Sequence, residues 1–193
     1  PQNTPCEQGL NFADLDINNV KARFWASGSM WFDPVSHYPN YEVPKGENIH
    51  PFFAFDLWMG ARDEFEQKRL DWQNYAGQYS ANTYFPGPLD EMGNTTIDVC
   101  QNYDRIWKIN KSSIDSFRAG LLSEIPEDIL EWPAKDNPHI SFAPQSNLAP
   151  FADVNSDGVY NPLNGDYPEI LGDQALWWVF NDNSHEEYIG FLP

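Results

Sequence analysis

The sequence predicts an α+β fold rich in β-structure, with a β-sandwich-like core, two short helices and long ordered loops. Three observations predict it. Prolines and glycines, 16 and 12 of them, are spread along the whole chain and cut it into short segments. The apolar segments between them are dominated by aromatic and β-branched residues, which suit half-buried strands. Helix-capping signals are clear in only two places.

The elements follow in chain order. In "NVKARFWA" (19–26) Val20, Ala22 and Phe24 alternate with Lys21, Arg23 and Trp25, the period of a strand with one buried face. "HPFFAFDLWMGAR" (50–62) and "YDRIWKI" (103–109) read as further strands. In "NKSSIDSFRAGL" a serine cap at Ser112 or Ser113 precedes Ile114, Phe117 and Leu121 at helical spacing, and Gly120 suits the stop. In "SEIPEDILEWP" Pro126 stands at a first helical position, Glu127 and Asp128 complement the helix dipole, and Pro133 ends the run. A last strand pair is expected at 175–180 and 187–192.

At 193 residues, the chain can form a single domain with a sizeable core, or the N-terminal part of a larger one. Its 8 Trp, 9 Tyr and 13 Phe supply large buried areas, so it is expected to fold despite a mean hydropathy of -0.59. The formal charge of -18 repels phosphate backbones and anionic lipid surfaces, which argues against nucleic acid as a partner. The strongest apolar runs, "ALWWVF" (175–180) and "PFFAF" (51–55), fall far short of the roughly 18 residues of a membrane span, so no membrane insertion is expected. A start on Pro1 instead of Met, and a finish on the strand-like "YIGFLP", predict a fragment that has lost its natural start and stops in mid-domain.

The stretch that carries most chemistry is "FADVNSDGVYNPLNGDYPEI" (151–170). A calcium loop supplies side-chain oxygens at its positions 1, 3 and 5 with Gly at 6, because six to eight hard oxygens must wrap one ion within a single turn. Here these are Asp153, Asn155, Asp157 and Gly158; the Val159 carbonyl falls at position 7 and Asn161 at position 9. An EF-hand would need a bidentate Glu at position 12, where this chain has Asn164, and Pro162 argues against a helix leaving the loop. The closing ligand is Asp166 or a more distant acid such as Asp173. The plainer alternative is an Asx-rich turn whose side chains cap their own backbone. Three alternating oxygens coinciding with the glycine, in a strongly acidic chain, favour calcium. "DLDIN" offers Asp14, Asp16 and Asn18 at the same alternation, but Asn19 replaces the glycine, so it reads as one polar face of an edge strand.

Other chemistries find less support. Asp63, Glu64 and Glu66, or Glu186 and Glu187, could be imagined as an acid–base pair, but chance pairs are expected among 29 acids, and no catalytic residue is assigned. His37, His50, His139 and His185 form no HxxxH or HExxH pattern, and no GxSxG, Walker or GxGxxG fingerprint is present. Some of the tryptophans could form a sugar-stacking platform, which keeps a carbohydrate-binding module as the second reading. Asn94-Thr-Thr and Asn110-Lys-Ser fit the glycosylation sequon. Cys6 and Cys100 either bridge, closing a long loop worth about 4–5 kcal/mol in the chain-entropy model, or remain two buried thiols.

A family resemblance rests on "LDINNVKARFWASGSMWFD", "YEVPKG", "FFAFDLWMGARDE", "YFPGPLD", "CQNYDRIWKINKSSIDSF", "ILEWPA" and "LAPFADVNSDGVYNPLNGDYPEILGDQALWWVFND". In this order they resemble consecutive blocks from the N-terminal region of large secreted Bacteroidetes proteins that carry a C-terminal sorting domain for type IX secretion. The resemblance runs from about Cys6 to Pro193. It implies export and a place on, or release from, the cell surface. It also supports a Cys6–Cys100 disulfide, and puts the calcium loop where the ion is plentiful. The function expected is a non-enzymatic, calcium-stabilised structural or adhesive module. Its expected partners are the remainder of its own polypeptide or neighbouring copies in a surface assembly such as a filament, with extracellular glycans as a further class.

Overall fold

The computed structural model describes residue 6 and residues 9–33, 35–55, 57–72, 84–140 and 149–182, with the backbone alone at 69–72. It is strand-rich, with short helices and small antiparallel sheets, in keeping with the α+β, β-rich class. The contacts divide the chain into two compact units: Pro1–Ile106 together with Trp178–Pro193, and Trp107–Trp177.

In the first unit β1 (Phe12–Leu15), β2 (Lys21–Trp25) and β5 (Tyr41–Glu42) form a three-stranded sheet in the order β1-β2-β5. β2 is the strand expected over 19–26, but its buried members, Ala22 and Trp25, stand three apart on opposite faces, so burial is not confined to the one face expected from the alternation. β3 (Phe32–Asp33) pairs with β4 (Tyr38–Pro39), and β6 (Trp58–Arg62) pairs with β7 (Lys68–Trp72) in a hairpin. Of the strand expected over 50–62 only the second half forms; the first half is irregular, with a Met30–Phe55 bridge. Aromatic rings fill that irregular part: Trp31 packs on Tyr41, Phe52 and Phe55 at centroid distances of 4.5, 5.6 and 5.0 Å.

Helix α1 (Ile97–Tyr103) follows β8 (Phe85–Pro86). The Thr96 side chain accepts from the Val99 N–H, and Asp98 lies in the first turn, where a carboxylate opposes the helix dipole. Cys100 on this helix is bonded to Cys6. The chain that leaves the second unit returns to β8 through β13 (Phe180–Asn181), and Asn181 Nδ2 donates to the Gly87 carbonyl at 2.8 Å.

In the second unit β9 (Trp107–Asn110) pairs with β12 (Gln174–Trp177), and β10 (Phe151–Ala152) pairs with β11 (Tyr167–Pro168). The single strand expected over 175–180 forms instead as β12 and β13, which pair with β9 and β8, and its expected partner at 187–192 lies outside the described residues. Helix α2 (Lys111–Arg118) and helix α3 (Glu127–Leu130) are the two expected ones. Asn110, not a serine, is the cap residue of α2, and Gly120 beyond its end takes a φ of 66°. Pro126 caps α3 from just outside, one residue earlier than expected.

With sheets this small, buried indoles help to hold the loops. A buried indole N–H favours a hydrogen-bond partner, and three find a backbone carbonyl, whereas those of Trp31, Trp177 and Trp178 find none among the described residues. Trp25 Nε1 donates to Phe32 O at 2.8 Å, Trp107 Nε1 to Glu131 O at 2.7 Å, and Trp132 Nε1 to Pro150 O at 2.9 Å. Buried Asn137 does the same work, donating to the carbonyls of Leu130 and Trp132 and accepting from the His139 N–H. Each such side chain combines apolar burial with a fixed loop position.

Candidate metal centre

Loop 153–166 lies between two short strands that pair with each other. Phe151 stands opposite Pro168 and Ala152 opposite Tyr167, so both ends of the loop are fixed at one base. Its middle is anchored by Tyr160, which is fully buried: the hydroxyl donates to Ile129 O at 2.5 Å, the backbone N–H donates to Lys135 O at 2.8 Å, and the ring meets Phe151 edge-on at 5.4 Å. Burial, and after it the charge of Asp166, push the Tyr160 hydroxyl well above the ordinary tyrosine range.

Asp166 is also fully buried. Its Oδ1 accepts from Val154 N–H at 2.8 Å and its Oδ2 from Asn161 N–H at 2.9 Å, which ties the start, middle and end of the loop together. Charge-assisted bonds of this kind are the strong ones, and here they compensate for desolvating the carboxylate.

Around the first turn the expected ligands collect. Asp153 accepts from Asp157 N–H at 3.2 Å and from Gly158 N–H at 2.8 Å; Asn155 Oδ1 accepts from Asp157 N–H at 3.2 Å; Asp157 Oδ1 accepts from Val159 N–H at 2.8 Å. Asn155 Nδ2 donates to Asp157 Oδ2 at 2.8 Å. These bonds need a chain that curls sharply, and Ser156 and Gly158 supply it with φ of 61° and 79°. Gly158 is the residue suited to that conformation. A carboxylate oxygen accepting one N–H keeps a second lone pair, so the bonds orient Asp153 and Asp157 without exhausting them.

The remaining predicted positions differ in kind. The Val159 carbonyl receives no hydrogen bond among the described residues. Asn161 Oδ1 accepts from Leu163 N–H at 3.1 Å, capping the 3₁₀ turn Pro162–Asn164, and lies 3.1 Å from His139 Nε2. Its side chain is therefore committed to the fold, and a ligand at that position would come through water, as is common at position 9. Asp166 acts as the clamp of the loop. Asp173 precedes β12 and offers its carbonyl to Lys111 N–H at 2.8 Å. Sequence reasoning missed the positions of Lys135 and His139 beside the loop; Lys135 Nζ lies 3.7 Å from where a Cβ on Gly158 would stand. No local spacing marks residues some twenty positions away.

The donor set of the first turn is two carboxylates, one amide and one carbonyl, all oxygen. It fits a hard cation such as calcium better than zinc, which draws nitrogen and sulfur. Among the described residues no group of three or more His, Cys, Asp or Glu gathers in a metal-binding arrangement.

The other candidates lie elsewhere. Asp14 is in edge strand β1, paired with Arg23, and Asn18 is in the following turn with a φ of 54°. Asp63 caps the β6–β7 turn by accepting from Phe65 and Gln67 N–H, and Glu66 pairs with Arg62 at 2.9 Å. Glu186, Glu187 and His185 lie outside the described residues. His37 is exposed in the β3–β4 turn, and His50 lies 3.1 Å from both Tyr41 O and Asn48 Oδ1. Of the two sequons, Asn94 is exposed, whereas Asn110 is half-buried and accepts from Gln174 Nε2 at 2.8 Å. No described helix is long and apolar enough to cross a membrane. Compared with protein-family models, curated proteins and solved structures, the chain finds no match.

Proposed function

We propose that the chain is a non-enzymatic, calcium-stabilised structural or adhesive module of a secreted cell-surface protein, of the Bacteroidetes type IX kind that its sequence resembles. The observation that carries the reading is the clamped turn in which the side-chain oxygens of Asp153, Asn155 and Asp157 are gathered by the backbone N–H groups of Asp157, Gly158 and Val159. Calcium there would neutralise the two carboxylates and lock the turn; the residues that would hold it are Asp153, Asn155, Asp157 and Val159. The Cys6–Cys100 bridge supports an oxidising compartment. Exposed Phe52, Phe53, Phe55, Trp58 and Phe65 give the first unit apolar surface for the rest of its polypeptide or for neighbouring copies. Of the tryptophans whose side chains are described, Trp58 is the exposed one, which leaves a carbohydrate platform as the lesser reading.

An ion that binds the native state alone adds RT ln(1 + [L]/Kd), about 2.7 kcal/mol at a hundredfold excess over Kd. Extracellular modules bind calcium with Kd of about 10⁻⁴–10⁻³ M. Millimolar calcium should therefore raise the melting temperature, EDTA should reverse it, and Asp153→Asn with Asp157→Asn should remove the response. An unmoved melting curve, with no calcium binding by calorimetry, sinks the reading.

A further inference from the structure

Asn164 and Gly165 form the sole Asn–Gly pair in the sequence, and they fall at the far end of the same loop. We infer that this pair is a covalent modification site: Asn164 deamidates spontaneously, and the β-linked product releases the Asp166 clamp. The inference stands independently of the calcium reading.

Four observations carry it. Asn164 is exposed, and its side chain makes no hydrogen bond among the described residues, so the carboxamide is free to turn toward the backbone. Gly165 follows with a φ of 98° and no side chain to shield its nitrogen. That nitrogen is held by one bond, to Pro162 O at 3.1 Å, in a single 3₁₀ turn, the kind of short element that frays at little cost. By contrast Asn155, which precedes Ser156, has its amide tied at both ends, accepting from Asp157 N–H and donating to Asp157 Oδ2.

The chemistry balances with water alone. Once the 3₁₀ bond opens, the Gly165 nitrogen gives its proton to solvent base and attacks Asn164 Cγ. A C–N bond forms, the carboxamide C–N bond breaks, and ammonia leaves with a proton from solvent. Water then opens the cyclic imide at either carbonyl, giving an aspartyl or an isoaspartyl residue at position 164. The isoaspartyl product routes the main chain through Cβ, so the backbone between positions 164 and 165 gains one atom. Asp166 is two residues on, and its two N–H partners are held at 2.8 and 2.9 Å. A longer main chain displaces the carboxylate from them.

The test ages the full chain in mildly alkaline buffer and maps its peptides by mass spectrometry, with isoaspartyl methyltransferase labelling as the probe. The expected result is amide-to-acid conversion at Asn164, several-fold faster than at Asn155, with a fall in melting temperature that tracks the isoaspartyl fraction. Asn164→Gln should start at the unaged melting temperature and keep it. Two outcomes overturn the inference. One is an intact Asn164 under conditions that convert a synthetic peptide spanning 160–168. The other is an Asn164→Gln chain that loses stability as fast as the parent.

Discussion

Asp14 and Arg23 stand opposite each other in the β1–β2 register, with Arg23 Nε and Nη2 at 2.8 and 3.1 Å from the carboxylate and the guanidinium 3.8 Å from the Phe12 ring centroid. Burial opposes ionisation of Asp14, but the Arg23 hydrogen bonds and charge, with Lys21 behind them, outweigh it and hold the carboxyl below its usual range. Asp33 follows the same pattern, burial being outweighed by the Val35 and Ser36 N–H groups and then by Arg23. Because both folded pKa values lie below the unfolded ones, this stability is present above about pH 4 and is lost as pH falls through the folded values. Asp14→Asn is therefore expected to cost about 1–3 kcal/mol at neutral pH, with the gap to the parent narrowing in acid. Urea midpoints at neutral pH and near pH 3 check this, and a pH-independent gap contradicts it. Of "DLDIN", only Asp14 and Leu15 lie in edge strand β1, with Asp16 beyond it and Asn18 in the turn, and the spacing did not show the partner of Asp14. That partner is set by strand register, which spacing within one segment does not encode.

At the scale of elements, loop 153–166 is the clearest case. Its alternating oxygens and Gly158 were legible because the pattern is local, each side chain bonding to backbone two to five residues on. The roles of Asp166 and Tyr160 were not, since burial decides them. Tyr160→Phe removes the bond to Ile129 O and is expected to cost about 1–2 kcal/mol. Because the folded state holds this hydroxyl protonated, the unfolded chain gains by ionising it; the stability tied to Tyr160 is complete below about pH 10 and declines above it. The difference between parent and Tyr160→Phe should therefore shrink as pH rises past 10, measured by urea unfolding across the alkaline range. The helices divide in the same way. α2 and α3 were marked by apolar spacing and proline, whereas α1 was not expected, although Ile97, Cys100 and Tyr103 stand three apart behind the Thr96 cap and Cys100 and Tyr103 are buried.

At the scale of the whole molecule, long-range ties close the first unit. Cys6 and Cys100, 94 positions apart, are bonded, and next to them Asp104 accepts from Leu10 N–H at 3.2 Å and Asn11 N–H at 3.0 Å. Replacing both cysteines by serine is expected to lower the unfolding free energy by about 2–5 kcal/mol, read from denaturant curves; reducing the parent should reproduce the loss, and equal curves for all three contradict it. The sequence by itself determined the β-rich class, the α2 and α3 helices, strand β2 and the alternating turn of loop 153–166. These depend on neighbours a few residues apart, where propensity, capping and side-chain reach act directly. Tertiary structure alone decided that β12 joins β9, that β13 returns to β8, that Arg23 answers Asp14 and that Asp166 is a buried clamp. Those pairings depend on which distant surfaces bury each other, and burial is a property of the folded chain.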